Sequence, residues 1–441
     1  MCQGSTPRAH ISWIDMQFYS TNGKSPLVSF KDGVIKSLPP DNGLYYPTEI
    51  PDLSRLLKKD MGLCEVGYEV LKPFCLGDIP SADLLDIIQD VLNFQIPLIE
   101  VSKGISCLEL FHGPTFAFKD VGARFLARCI QFFNQSEDKE VTILVATSGD
   151  TGGAVASGFH HVEGVNVVIL YPSGKVSKLQ EQQLTTLGGN ITALEIDGTF
   201  DDCQKLVKGA FLDAELNHEF NLSSANSINI ARWIPQSIYF VYAALNYLDH
   251  DYPPEIAVPC GNYGNLAAGI LAQRMGAPVR RFIAASNIND VVPRYLKSGI
   301  YNPLPTRHTY SNAMDVGQPS NFVRLLELYG NNHERFSKNI TGFYLNDTNT
   351  LQAMNTCWQT DQYLLDPHTA IAYGSCMNNT YEHEKIFLAT AHPCKFLPIV
   401  HKVVPDYKLP IFCSDLMDKT KVSTTLHNNF DLFKEFLLKN K

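Results

Sequence analysis

The sequence predicts a soluble α/β protein with two α/β domains, built on mostly parallel sheets, and a small N-terminal cap domain. The chain has 441 residues, which is too long for one ordinary hydrophobic core. From residue 104 onward, short apolar runs end in glycine-rich loops that lead into helices, a pattern typical of parallel sheets covered by helices. The first hundred residues lack that pattern and therefore form the predicted cap.

The cap domain is predicted over residues 1–98 and offers no chemistry of its own. Its clearest element is a helix in SADLLDIIQDVLNF, residues 81–94, where Leu84, Ile87 and Ile88 recur at helical spacing. Ser81 stands at the start of this pattern and is the predicted N-cap.

The two α/β domains are predicted over residues 99–225 and 226–441. A helix is expected in DDCQKLVKGAFLDAELN, residues 201–217, shortly before the boundary. Ligands of parallel sheets bind beyond the carboxyl ends of the strands, where the unusual loops of this chain fall. The predicted strands are VTILVA (141–146), VNVVILYP (165–172), IAVPC (256–260), VRRFIAAS (279–286) and IFLAT (386–390).

Composition excludes several classes of function. A formal net charge of -9, with no dense run of lysine and arginine, argues against binding to nucleic acid. No run of about 18 apolar residues is long enough to span a membrane, and the first residues lack the apolar core of a signal peptide. The eleven cysteines include no CxxC pair, so we expect reduced thiols, no bound metal and a cytoplasmic location.

Lys119 is the first candidate for catalysis. It lies in PTFAFKDVGAR, residues 114–124, next to Phe118 and close to Phe116, with Asp120 in the first turn of a predicted helix. An ordinary lysine is almost entirely protonated at pH 7, whereas an apolar setting lowers its pKa and frees the amine for imine chemistry. The alternative is a lysine that reaches into solvent from a helix end.

Two glycine-containing loops are candidates for anion binding. GNYGN, residues 261–265, follows an apolar strand and opens a helix, so its backbone N–H groups can surround a phosphate. It matches neither a P-loop nor a dinucleotide fingerprint. TSGDTGG, residues 147–153, adds hydroxyl groups to the same geometry. Taken singly, each loop could instead be a plain turn or a helix N-cap.

A third candidate segment contains an arginine. In ANSINIAR, residues 225–232, the planar fork of Arg232 suits a phosphate ester, although a surface arginine on a helix is the alternative. The histidines show no metal-ligand spacing, and His112 and His392 are the two most expected to line a pocket.

Taken together, these segments resemble the threonine synthases, a family of pyridoxal-phosphate enzymes of fold type II. The resemblance covers the chain from Met16 onward, while residues 1–15 have no counterpart. It implies the cofactor pyridoxal 5'-phosphate, the substrate O-phospho-L-homoserine, and a monomer or homodimer. The motifs appear in this order: DNGLYYP, CLELFHGPTFAFKD, ILVATSGDTG, VVILYPSGKVSKLQ, TLGGNI, NSINIAR, GNYGN, SNAMDVGQPSN, DPHTA and TAHPCKF.

The resemblance also implies roles for individual residues. Lys119 forms the internal aldimine with the cofactor and then acts as the base, and Thr390 faces the pyridine nitrogen. The residues implied for the cofactor phosphate are Gly261, Asn262, Tyr263, Gly264 and Asn265. Those implied for the substrate are Ser148, Gly149, Asp150 and Thr151 at its carboxylate, and Asn226, Ser227 and Arg232 at its phosphate.

The implied reaction is the lyase reaction of threonine synthase, which makes L-threonine and phosphate from O-phospho-L-homoserine and water. It proceeds by deprotonation at Cα and Cβ, γ-elimination of phosphate and β-addition of water. Two alternatives stay open at this point: a phospholyase that releases 2-oxobutyrate, and a catalytically silent protein that binds a phosphorylated amino acid. The chain departs from the usual family pattern GNFGD at Tyr263 and Asn265, and has Cys260 and Cys394 where smaller residues are expected.

Overall fold

The computed structural model describes residues 16–135, 140–378 and 383–441. The extension predicted over residues 1–15 lies outside this range. The strands are β1 (Phe18–Ser20), β2 (Tyr45–Pro47), β3 (Leu98–Ser102), β4 (Ile105–Glu109), β5 (Val141–Ala146), β6 (Val165–Pro172), β7 (Ile191–Asp197), β8 (Asn221–Ser224), β9 (Glu255–Pro259), β10 (Arg281–Ser286), β11 (Ile340–Tyr344), β12 (Lys385–Ala389) and β13 (Thr424–His427).

The strands form two large parallel sheets and one small antiparallel pair. One large sheet has six strands in the order β11-β10-β9-β12-β4-β3, of which only β3 runs antiparallel to its neighbour. The other has five parallel strands in the order β13-β7-β6-β5-β8. The strands β1 and β2 pair in the N-terminal region. The predicted α/β architecture with mostly parallel sheets is therefore confirmed.

The α-helices lie between these strands and cover the sheets. They are α1 (Phe30–Lys36), α2 (Leu63–Cys75), α3 (Ser81–Val91), α4 (Lys119–Asn134), α5 (Asp150–Phe159), α6 (Lys178–Thr185), α7 (Phe200–Leu212), α8 (Ala214–Glu219), α9 (Ile230–Trp233), α10 (Ser237–Ala244), α11 (Gly264–Arg274), α12 (Val291–Ser298), α13 (Phe322–Leu328), α14 (His333–Asn339), α15 (Asp347–Asp361), α16 (Pro367–Met377), α17 (Leu397–Val400), α18 (Ile411–Met417) and α19 (Phe430–Lys439).

Two local predictions about helices are wrong. Ser81 is the first residue of α3 rather than its N-cap, and its hydroxyl lies 2.6 Å from the hydroxyl of Tyr68. The helix predicted over residues 201–217 is broken at Asp213, because the Asp213 carboxylate accepts the N–H of Leu216 and starts a new helix there.

The two large sheets do not coincide with the predicted domain limits, because each sheet includes a strand from outside its expected chain segment. β3 and β4 fall in the range 99–225 but belong to the six-stranded sheet, whereas β13 falls in 226–441 but belongs to the five-stranded sheet. The limits 1–98, 99–225 and 226–441 therefore stay a prediction about chain segments, which are not the same as the sheets.

Burial explains why the central strands have continuous apolar sequences. Every residue of β5, β9 and β12 is buried, as expected for parallel strands covered by helices on both faces. Within the described residues, no helix is both long enough and apolar enough to cross a membrane. The sheets thus form a rigid, dry frame, and the loops at their carboxyl ends are free to build a site.

Candidate functional site

A cavity lies at the carboxyl ends of strands from both large sheets. The loops after β5, β9 and β12 all reach it, together with the start of α4. The lining includes nearly all of the predicted site residues: Lys119, Ser148, Asp150, Thr151, Asn226, Ser227, Arg232, Gly261, Asn262, Tyr263, Gly264, Asn265 and Thr390. Gly149 is not among the lining residues; its N–H donates to the Thr147 hydroxyl at 2.9 Å and it precedes α5 with a φ of 131°.

Lys119 is the first residue of α4, and its amine points into this cavity. Its Nζ lies 4.4 Å from the centre of the Phe118 ring and 3.5 Å from Asp150 Oδ2. Burial lowers the pKa of Lys119, while the Asp150 carboxylate acts in the opposite direction. The lysine therefore combines low solvation with a single neighbouring anion, which is a setting suited to a reactive amine.

Asp150 is the centre of an ion-pair cluster that extends beneath the cavity. Its Oδ1 receives Lys395 Nζ at 2.7 Å and Gln180 Nε2 at 2.8 Å. Burial alone would raise the pKa of the Asp150 carboxyl, but the charges of Lys395 and Lys119 and the hydrogen bond from Gln180 hold it well below its usual range. Because this carboxylate is committed to Lys395, Gln180 and Lys119, its side chain is unsuited to binding a substrate carboxylate.

The loop before Lys119 is fixed by hydrogen bonds to a second buried carboxylate. Asp120 accepts the N–H of Thr115 at 2.9 Å and its hydroxyl at 2.5 Å. The N–H of Phe118 donates to the carbonyl of Thr390 at 2.9 Å, so the lysine segment is tied directly to the loop after β12. Phe116 has a positive φ of 59° and packs against His392 and Phe412 rather than lining the cavity.

The loop GNYGN offers backbone groups to the cavity and directs two of its side chains into the protein. Tyr263 has a φ of 61°, precedes α11 and points its hydroxyl at Ser286, 2.5 Å away. Asn265 donates from Nδ2 to the carbonyl of Pro259 at 2.7 Å. A Cβ atom at Gly261 would lie 2.7 Å from the backbone of Ala313 and Met314. This glycine-containing turn, with the Tyr263 and Asn265 side chains directed away at the start of α11, fits the phosphate of pyridoxal 5'-phosphate.

The two predicted phosphate sites are connected by a polar network. Asn262 donates from Nδ2 to the Ser227 hydroxyl at 2.8 Å and accepts the N–H of Ser320 at 2.5 Å. Asn321 also donates to that hydroxyl, and the buried Arg324 donates to the Ser227 carbonyl at 3.0 Å. The position of Ser227 is therefore set from several directions. Sequence reasoning gave no role to Asn321 or Arg324, although the motif SNAMDVGQPSN ends at Asn321 and Arg324 follows three residues later.

Arg232 is a buried cation that makes no ion pair within the described residues. Its side chain is 2% exposed, its guanidinium donates to the carbonyl of Ala225, and its Nε has no hydrogen-bond partner. Burial lowers the pKa of Arg232 to about 10, which leaves it charged at neutral pH. A buried guanidinium that lines a cavity without an ion-pair partner is suited to binding an anion, so Arg232 is a candidate anion site.

The histidine in the cavity is His368, whereas the expected His112 and His392 do not line it. His368 Nε2 accepts the N–H of Ala313 at 3.2 Å, and its Nδ1 donates to Asp366 Oδ1 at 2.8 Å. His392 instead accepts the N–H of Cys394 at 3.1 Å, beside Phe111. Sequence reasoning included His368 only as part of the motif DPHTA; its contact with Ala313, on a distant loop, left no local signal. The described residues contain no cluster of side chains suited to holding a metal.

The chain is similar to known proteins over nearly its whole length. Residues 97–386 match the family model of pyridoxal-phosphate dependent enzymes, residues 17–92 that of the threonine synthase N terminus, and residues 369–437 the C-terminal model of threonine synthase. A threonine synthase of Buchnera aphidicola, from Acyrthosiphon pisum, is 41% identical over 96% of this chain and all of its own length.

Solved structures of threonine synthases share the whole fold. The crystal structure from Escherichia coli superposes with a TM-score of 0.90 at 38% identity, covering 96% of this chain and 100% of the other. A structure from Brucella melitensis with bound pyridoxal phosphate has a TM-score of 0.89 at 36% identity, covering 96% and 99%.

The fold and the site thus define a pyridoxal-phosphate-dependent lyase of fold type II, with pyridoxal phosphate as its cofactor and a small molecule as its substrate. Within that class, the chain belongs to the threonine synthase family.

Proposed function

We propose that this enzyme converts O-phospho-L-homoserine and water into L-threonine and inorganic phosphate. The observation that supports it most strongly is that one cavity contains both a desolvated lysine, Lys119, and a buried arginine, Arg232, whose Nε has no hydrogen-bond partner among the described residues. A reactive amine and an anion site of this kind suit an amino-acid substrate that also bears a phosphate.

The cofactor would be held by Lys119, by the backbone of residues 261–265, and by Thr390 at the end of β12. When bound, pyridoxal phosphate supplies an electron sink that allows a proton to leave the carbon next to the amino group. Thr390, which lines the cavity, would offer the ring nitrogen a neutral hydroxyl rather than a carboxylate, and a neutral hydroxyl does not hold a proton there.

The chain's own residues position the substrate and move protons. Lys119 Nζ removes and returns the proton at Cα, because its low solvation favours the free amine. Asn226, Ser227 and Arg232 bind the phosphate that leaves from Cγ. Ser148 and Thr151 bind the substrate carboxylate through their hydroxyl groups, together with backbone N–H groups at the start of α5.

Product analysis tests this proposal. The purified protein, supplied with pyridoxal phosphate, is incubated with O-phospho-L-homoserine, and threonine, phosphate and 2-oxobutyrate are measured. We expect threonine and phosphate in equal amounts. Formation of 2-oxobutyrate instead of threonine would show a phospholyase, and binding without any product would show a silent binding protein. The oligomeric state, monomer or homodimer, and the cytoplasmic location stay predictions.

A further inference from the structure

The cluster beneath the cavity contains a lysine to which the proposed reaction gives no task. The Lys395 side chain is completely buried, does not line the cavity, and places its Nζ 2.7 Å from Asp150 Oδ1 and 2.8 Å from the carbonyl of Thr115. A buried ammonium group costs several kcal/mol of solvation and is stable only when paired. Because Lys395 cannot reach a ligand in the cavity, its effect must pass through the groups it contacts.

The two carboxylate oxygens of Asp150 face different lysines, and Lys395 is closer than Lys119. Oδ1 receives the short contacts from Lys395 and Gln180, whereas Oδ2 lies 3.5 Å from Lys119 Nζ. Since Coulomb attraction falls with distance, the negative charge of Asp150 is balanced mainly by Lys395. Lys119 therefore faces a carboxylate that is already largely neutralised.

We propose that Lys395 is a positioning residue for Lys119: it holds Asp150 ionised from the far side and so keeps the Lys119 amine easy to deprotonate. The inference rests on the proposed function, in which Lys119 is the reacting amine. In this role Lys395 controls the charge around the Lys119 amine and does not contact the substrate.

The charges around Lys119 support this assignment. Asp150 faces it from α5, Lys395 from the 3₁₀ turn Pro393–Phe396, and Arg232 from α9. The Asp120 carboxylate is hydrogen-bonded to Thr115 and acts on Arg232 instead. Lys395 and Arg232 both disfavour an additional positive charge on Lys119, in the same direction as burial, and Asp150 alone opposes them. Removing Lys395 would leave Asp150 free to pair with Lys119 one to one.

The test measures the pKa of Lys119 in the full-length protein freed of cofactor. Trace labelling with acetic anhydride over a pH series, followed by mass spectrometry of the Lys119 peptide, gives this pKa without any need for catalysis. In Lys395→Met we expect it to rise by about one unit or more, which lowers labelling roughly tenfold at a pH below both values. Lys395→Arg keeps the charge and should stay near wild type, and Lys395→Gln repeats the test if the Met variant does not fold.

A control and a double-mutant cycle separate this role from a structural one. Lys385→Met removes another buried lysine, which donates to the carbonyl of Cys376, and should leave the Lys119 pKa unchanged. In an Asp150→Asn background, Lys395→Met should raise the pKa by a smaller amount, because the carboxylate through which Lys395 acts is gone.

An unchanged Lys119 pKa in Lys395→Met, or an equal rise with and without Asp150, would overturn the inference. The proposed function fails by a different result. If borohydride reduction of the cofactor-loaded protein attaches the cofactor to a lysine other than Lys119, the proposed function itself is wrong, whatever the labelling shows.

Discussion

The loops after β5 and after β9 line the same cavity and follow the same plan of strand, glycine turn and helix, yet their chemistry differs. The loop after β5 contains Asp150, which sits in a cluster of charged groups with Lys119 and Lys395. The loop after β9 contains no charged side chain over residues 261–265 and turns Tyr263 and Asn265 into hydrogen bonds with the protein. We infer that the first loop, through Asp150, sets the charge around the lysine that transfers protons, and that the second holds an anion with neutral dipoles.

The substitution with the largest expected effect removes the amine of Lys119, which faces the charged loop after β5. Lys119→Ala should lower threonine formation at least about a thousandfold, because no other lysine of the described ranges lines the cavity and could both join the cofactor and move the proton. The visible absorbance of the bound cofactor should also change. Lys178→Ala removes an exposed lysine outside the cavity and should keep full activity. Undiminished activity in Lys119→Ala would contradict the assignment.

The next test alters the anion site without touching the charged cluster. Arg232→Lys keeps the positive charge but loses the planar fork and should raise KM for O-phospho-L-homoserine about ten- to a hundredfold. Inorganic phosphate should also become a weaker competitor. Cofactor affinity should be nearly unchanged, since GNYGN, not Arg232, is assigned to the cofactor phosphate. A variant with normal KM and weaker cofactor binding would reverse the two assignments.

The uncharged loop of residues 261–265 is tested by adding a methyl group at Gly261. In Gly261→Ala the new methyl group would meet the backbone of Ala313 and Met314 at 2.7 Å, which neither segment can relieve by rotating a side chain. We expect a loss of about 1–3 kcal/mol in the free energy of unfolding and weaker binding of pyridoxal phosphate.

A glycine in open space provides the control for this change. A Cβ atom at Gly62, which precedes α2 with a φ of -72°, meets nothing within 4 Å. Gly62→Ala should therefore leave both stability and cofactor affinity near wild type, as measured by urea unfolding and cofactor titration. If Gly261→Ala and Gly62→Ala changed stability and cofactor affinity equally, the close approach of backbone at Gly261 would not be the cause.

The last test concerns pH and a histidine outside the cavity, His392. Burial lowers the pKa of His392 to about 4, so the unfolded chain, with a histidine pKa near ~6.5, binds this proton more readily than the folded one. The stabilisation is complete above about pH 6.5 and is lost as the pH falls toward 4, by about 2–3 kcal/mol.

His392→Asn keeps an acceptor for the N–H of Cys394 and removes the titration. The free energy of unfolding of this variant should depend less on pH between 4 and 6.5 than that of wild type. Parallel curves for the two proteins would show that His392 is not buried in its neutral form.

Features set by neighbouring residues could be predicted from the sequence, whereas contacts between distant segments could not. The strand-to-helix loops at residues 147–153 and 261–265 were predicted because glycine and hydroxyl residues leave a local signal after an apolar run. The pairing of Lys395 with Asp150 was not, since nothing near either residue records that the loops after β12 and β5 meet. The break at Asp213 shows the same limit within a helix, where one side-chain hydrogen bond outweighed a continuous helical pattern.

The strand order has a consequence for how the chain acquires its structure during synthesis. β5, β6, β7 and β8 are made one after another and pair among themselves, apart from the late arrival of β13 at one edge. β3 and β4 emerge earlier, but the strand that joins them to β9 is β12, with Leu388 opposite Leu108. We therefore expect the β3–β4 hairpin to keep the edge of β4 unpaired until β12 has been synthesised, which is through most of translation. During this interval the nascent chain should be most prone to aggregation and to binding by chaperones.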